Sequence, residues 1–219
     1  MPHLIHPLFD IELAEALAQL KSAHSHLGNA TQTCIRSLAE NADSWGVEGK
    51  RLSVDLRGGD VPTLIGKEEE RLTEVINLAA TIERLIAAIQ WFSESEPHHH
   101  LTIRECHPTT SDGGNDLILQ DSDRVTRVLC EVCDVASSNA GANGKEKKDI
   151  SSLGCSDSVP DDGIERYICT SPEFAAALSS SGRKWKQLHY RYETLSTGCP
   201  NRTCLLKLVS ASNGKITRG

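Results

Sequence analysis

One apolar stripe limits what this chain can fold into. Leu72, Val75, Ile76, Ala79, Ile82, Leu85, Ile86 and Ile89 recur at intervals of three and four, and Trp91 and Phe92 close the series. That spacing predicts a helix over 67–93 with one wide buried face. A helix so long and so apolar needs a cover: the preceding helices, the C-terminal half or another subunit. A homo-oligomer, or a partner protein held through this helix, is therefore an expectation.

The pattern changes at Ser93-Glu94-Ser95-Glu96-Pro97. Before it, residues 11–20 are rich in helix formers, with Asp10 as the expected N-cap and Leu13, Leu17 and Leu20 on one face. A second helical segment is expected over 31–42, and Gly46, Gly49, Gly58, Gly59 and Pro62 predict a loop. After it, Leu101–Cys106 alternates like a strand, and 116–120 and 125–135 read as a hairpin across the turn Asp121-Ser122-Asp123. A short helix over 145–153 should stop at Gly154. Residues 166–170 read as a strand, and Ser171-Pro172 as the N-cap and first residue of a helix. Residues 185–195 and 204–209 read as closing strands. The expected organisation is a helical region, 1–96, and an α/β domain, 97–219, with a mixed sheet flanked by helices: an α+β fold with an α/β core.

The bulk numbers fit a globular protein of 219 residues, 38% hydrophobic and 24% charged. No apolar run approaches the ~20 residues of a membrane helix, so no membrane partner is expected. The first residues lack a basic segment followed by an apolar one, which predicts a cytoplasmic protein. Its eight cysteines are then expected to be reduced and mostly buried. Net charge is −7 but unevenly placed: residues 183–219 carry eight basic side chains against one acid, Glu193. Arg183, Lys184, Lys186, Arg191 and Arg202, interleaved with aromatics, suit phosphate contacts. A nucleic-acid partner is thus compatible with an acidic chain.

The chemistry concentrates in 115–149. Asp116 opens one strand and Glu131 lies near the end of the next, so the hairpin can bring their carboxylates together. Val132 adds a backbone carbonyl as a third oxygen. Lysines 145 and 148 follow. Two carboxylates and few other protein ligands suit Mg²⁺ or Mn²⁺ beside a phosphate. His107, in the loop before Asp116, titrates near neutral pH and is a candidate acid/base group.

Asn115-Asp116, then Cys130-Glu131-Val132-Cys133, after a helix and inside an α-β-β-β-α-β order, resembles the PD-(D/E)XK, or restriction-endonuclease-like, nuclease superfamily over about residues 97–180. The resemblance implies a restriction-endonuclease-like fold and Mg²⁺-dependent hydrolysis of phosphodiesters, in DNA more often than RNA. Asp116 and Glu131 would hold the ion. A role in bacterial (antiviral) defence or repair is implied by the same analogy. The family places a lysine two residues after the Glu, where this chain has Cys133. Members are known in which that lysine has moved to the next helix, which points to Lys148, then Lys145. Glu105 and Asp134 are further acids of the set. The departure at Cys133 also admits an inactive member of the fold that serves as an interaction or assembly module.

Other chemistry is weaker. Cys130 and Cys133 share a strand and so point to opposite faces, a poor zinc geometry; Cys199 and Cys204 are better placed. No phosphate-binding glycine loop is present.

Overall fold

A computed structural model of the chain describes residues 6–40, 72–108, 114–133, 148–155, 159–179, 190–199 and 203–210. Its elements are β1 (Leu8–Glu12), α1 (Leu13–Glu40), α2 (Leu72–Glu94), β2 (Thr102–Cys106), β3 (Leu117–Gln120), β4 (Thr126–Cys133), β5 (Glu165–Thr170), α3 (Pro172–Ser179), β6 (Tyr190–Cys199) and β7 (Thr203–Ser210). Residues 148–152 are also helical. The fold is α+β, with helices against a mixed sheet. The seven strands run in the order β1-β2-β3-β4-β5-β7-β6. Only β4 and β5 pair in parallel; the other neighbours are antiparallel.

The two faces of the sheet carry two apolar clusters. On one, Ile103, Leu119, Val128, Cys130, Val132, Tyr167 and Leu205 meet Leu13, Ala16 and Leu20 of α1 and Ile82, Leu85, Ile89 and Phe92 of α2. On the other, Cys133, Ile168 and Leu206 meet Ile150 of the 148–152 segment, Leu153 just after it and Phe174 of α3. Successive strand residues alternate between these faces, as the pleat requires. Both faces of the central strands are therefore covered, and Cys130–Cys133 of β4 and Arg166–Thr170 of β5 are buried.

Several expectations change. Residues 8–12 form an edge strand against β2 rather than the start of a helix. Asp10 is not an N-cap: it lies within β1 at φ 48°, and its Oδ1 accepts from Gln120 Nε2 at 2.9 Å. The apolar neighbours Leu8, Phe9 and Ile11 outweigh its capping chemistry once β2 offers an open edge. The helical segments expected at 11–20 and 31–42 are one helix, α1, which carries Gly28 without a break. The described part of the α2 stripe, from Leu78 to Phe92, is covered by α1 and the sheet. The loop expected over 46–62 lies outside the described residues.

Other local signals act as their chemistry demands. Ser171 caps α3: its Oγ accepts from the Phe174 N–H at 3.2 Å. Gly154, at φ 73°, ends the 148–152 segment; its N–H donates to the Ser151 carbonyl and that of Cys155 to Ile150. That paired closure needs a left-handed residue, which glycine supplies without strain. Asp121 organises the β3–β4 turn, its Oδ1 accepting from Asp123 N at 2.9 Å and Val125 N at 3.0 Å. No described helix is long and apolar enough to cross a membrane.

Candidate functional site

Asp116 precedes β3 by one residue. Leu117 pairs with Cys130 and Ile118 with Leu129, so the same register sets Asp116 opposite Glu131. Cys130 faces the α1–α2 layer, so Glu131 faces the layer built by 148–155 and α3. The two carboxyls come near each other there, close enough for the Asp116 charge to raise Glu131. Asp116 Oδ2 also accepts from the Val132 N–H at 2.7 Å. Val132 thus meets Asp116 through its amide, and that contact pins one oxygen of the carboxylate.

The helical segment after β4 supplies the rest. Ser152 Oγ lies 2.6 Å from Glu131 Oε1. The Asn115 amide, with its nitrogen turned toward the acceptors around it, donates to Glu131 Oε1 at 2.9 Å and to the Ser152 carbonyl at 3.3 Å. Asp149, one turn before Ser152, is 5% exposed, and so is Glu131. The consequence is electrostatic. Burial, then the neighbouring Asp116 charge, pushes Glu131 up to about 9; the Ser152 hydrogen bond opposes this and Asp149 adds to it. Like charges brought together out of water hold a proton or call for a cation.

The remaining candidates are described only in part. Lys148 stands exposed at the start of its helical segment, while its neighbour Asp149 turns inward. Cys133, at the family's lysine position, is 0% exposed within the cluster of Ile150, Leu153, Ile168 and Phe174. The His107 N–H donates to the Asp116 carbonyl at 2.8 Å. Its ring turns away, with Nε2 3.3 Å from Glu105 Oε2 and its edge against Phe9. Glu105, one strand from Asp116, is taken up by His107 and Arg104. Lys145, Asp134, Arg183, Lys184, Lys186 and Arg202 lie outside the described residues; Arg191 lies on β6. Cys130 and Cys133 face opposite sides of the sheet, and the six cysteines whose side chains are described are buried and form no disulfide with one another. Cys199 ends β6 and Cys204 is buried on β7.

In the sequence pattern Asn115 enters only as the neighbour of Asp116, and no role falls on Asp149 or Ser152. The signal for the last two was present: three residues apart on a short helix, they share a face. The adjoining lysines drew attention to charge instead. Among the described residues, no group of three or more His, Cys, Asp and Glu side chains could hold a metal ion. Two cavities, of about 390 and 340 Å³, lie beside His98 and Glu165 and beside Phe9 and Glu105; neither is lined by Asp116 or Glu131.

No family model, no curated protein and no solved structure matches this chain.

Proposed function

We propose that the chain is a nuclease that hydrolyses DNA phosphodiester bonds with Mg²⁺ or Mn²⁺, on a restriction-endonuclease-like core. One observation carries the reading: the Asp116 and Glu131 carboxyls converge, across one antiparallel pair, on the same face of the sheet. The order α2, β2, β3, β4, helical segment, β5 supports it too, because it follows the α-β-β-β-α-β arrangement of the resemblance.

The residues present fit such an ion. Mg²⁺ takes hard oxygen donors and keeps several waters, so one or two carboxylates suffice on the protein side. Asp116 and Glu131 would hold it, with the Val132 carbonyl as the main-chain oxygen; Asp149 contributes field rather than a ligand. Bound there, a divalent ion would make a coordinated water easier to deprotonate and offset charge developing on phosphorus. The chain's own part is to hold the two acids facing each other. The Val132 N–H fixes Asp116, and neutral donors from Asn115 and Ser152 fix Glu131. Lys148 would orient the attacking water from the exposed end of its segment, and Arg183, Lys184, Lys186, Arg191 and Arg202 would hold the phosphate backbone.

A second reading has its own observation. Cys133 is sealed in the apolar cluster, so the strand position that carries the family's lysine offers no cation. The fold would then be kept for interaction without catalysis. Purified protein incubated with plasmid and single-stranded DNA, with Mg²⁺ or Mn²⁺, separates the two. Cleavage lost in Asp116→Ala and in Glu131→Ala supports the nuclease; cleavage that persists in both overturns the site. Intact DNA under every metal favours the inactive module.

A further inference from the structure

We infer that Ser152, assisted by Asn115, is the positioning residue of the acid pair: it fixes one oxygen of Glu131 so that the other is presented to a divalent cation. The inference rests on the metal reading above.

Both acids have one oxygen engaged by a neutral donor. On Asp116 it is Oδ2, held by the Val132 N–H at 2.7 Å. On Glu131 it is Oε1, which receives Ser152 Oγ at 2.6 Å and the Asn115 amide at 2.9 Å. Asn115 also reaches the Ser152 carbonyl, so the three side chains form a closed set. Ser152 has a single hydroxyl proton and two acceptors in range, Glu131 Oε1 and the Asp149 carbonyl at 2.7 Å. A carboxylate that a cation keeps ionised accepts more strongly than a helical carbonyl. Ionised Glu131 therefore captures that proton, and its side chain loses the freedom to rotate. Partners that orient a metal-binding carboxylate in this way commonly contribute 10–100-fold to metal affinity.

The segment's own geometry serves this. Gly154 closes the helix two residues beyond Ser152. Arg166, 3% exposed, donates from Nε to the Leu153 carbonyl at 2.7 Å and so ties the segment to β5. Ser152 is thus held by main-chain contacts, and its hydroxyl is not needed to keep the segment in place.

The test is Mn²⁺ titration of the purified full chain, read as the rise in melting temperature, without any DNA. Wild type should show a saturable rise. Glu131→Gln should lose it. Ser152→Ala should fold, with the same metal-free melting temperature to within a few degrees, but need about tenfold more Mn²⁺ for half the rise. Ser152→Thr, which keeps the hydroxyl at a half-buried position, should restore the wild-type midpoint, and Asn115→Ala should fall between. A flat wild-type response overturns both this inference and the metal site. A normal wild-type response with an unshifted midpoint in Ser152→Ala overturns the positioning role alone. If Ser152→Ala does not fold, Ser152→Cys takes its place, and an unshifted midpoint there has the same force.

Discussion

His98 Nε2 lies 2.5 Å from Glu165 Oε2, tying the turn after α2 to the first residue of β5. The same carboxylate accepts from the Tyr167 hydroxyl at 2.7 Å and from Lys207 Nζ. Phe92 packs edge-on to both His98 and Tyr167, with ring centroids 5.3 and 5.1 Å apart. The network fastens the α2 side of the sheet to β5 and β7.

Its pH signature follows. The His98 hydrogen bond first, then Lys207 and Tyr167, lower Glu165 from 4.5 to about 2. A carboxylate depressed on folding stabilises the protein above its unfolded value, and that contribution fades as pH falls toward the folded one. Glu165→Gln should melt below wild type at pH 6–7. The gap should begin to close near pH 4.5 and be gone near pH 2. Melting curves across that range check it; a gap that is constant down to pH 2 would mean that Glu165 acts through packing and not charge.

Glu131 carries the opposite sign. Burial and the Asp116 charge raise it from 4.5 to about 9, so the folded chain binds a proton that the unfolded chain releases. Stability contributed at this group therefore falls as pH rises from about 4.5 to about 9. With divalent metal chelated, Glu131→Gln should match wild type near pH 5 and melt above it at pH 8–9. Circular dichroism melts in EDTA at both pH values read this directly. Equal slopes for the two proteins would show that Glu131 ionises without cost, against the environment described.

Much of the fold was readable because its signals are local. The α2 stripe, the Ser171-Pro172 start of α3, the Asp121 turn and Gly154 each act within a few residues of themselves. The Asp116–Glu131 convergence was readable too, since one short turn sets the register of β3 and β4. The misses are long-range. Nothing near Asp10 announces that β2, more than ninety residues on, will recruit residues 8–12 as an edge strand. Ser152 reaches Glu131 only after the chain leaves β4 and returns, so spacing gave no measure of its distance. Lys148 and Asp149 differ by one position on a helix, about 100° of rotation. That difference turns Asp149 inward and leaves Lys148 exposed, a distinction that the run of charged residues does not show.

Arg166 offers a test of how the 148–155 segment is held. Its guanidinium donates to Asp162 Oδ1 at 2.9 Å and Oδ2 at 2.6 Å, to the Ile164 carbonyl at 2.6 Å and to the Leu153 carbonyl at 2.7 Å. Asp162 faces water, so the loss on truncation should fall below the ~3–5 kcal/mol of a fully buried pair. Arg166→Met should cost about 2 kcal/mol in urea unfolding, chiefly from the carbonyls left without a donor. Arg166→Lys should recover little, because an ammonium cannot span four acceptors in a plane. Full recovery by lysine would show that charge alone holds the segment.

Cys133 decides whether the family's strand lysine can be restored. Glu131 and Cys133 share a face of β4, two residues apart, as the motif requires. Yet Cys133 is packed by Ile150, Leu153, Ile168 and Phe174, and its carbonyl accepts from the buried Thr170 hydroxyl at 2.6 Å. An ammonium placed there would leave water without a partner carboxylate in the cluster itself, and four methylenes would overpack it. Cys133→Lys should therefore lose at least about 3 kcal/mol of stability, or fail to fold, and should not raise any cleavage above wild type. Urea unfolding alongside the plasmid assay tests both halves. A stable Cys133→Lys with increased cleavage would mean that the face of β4 opens to water around residue 133, and that the 148–155 segment moves aside to let a lysine reach the acids.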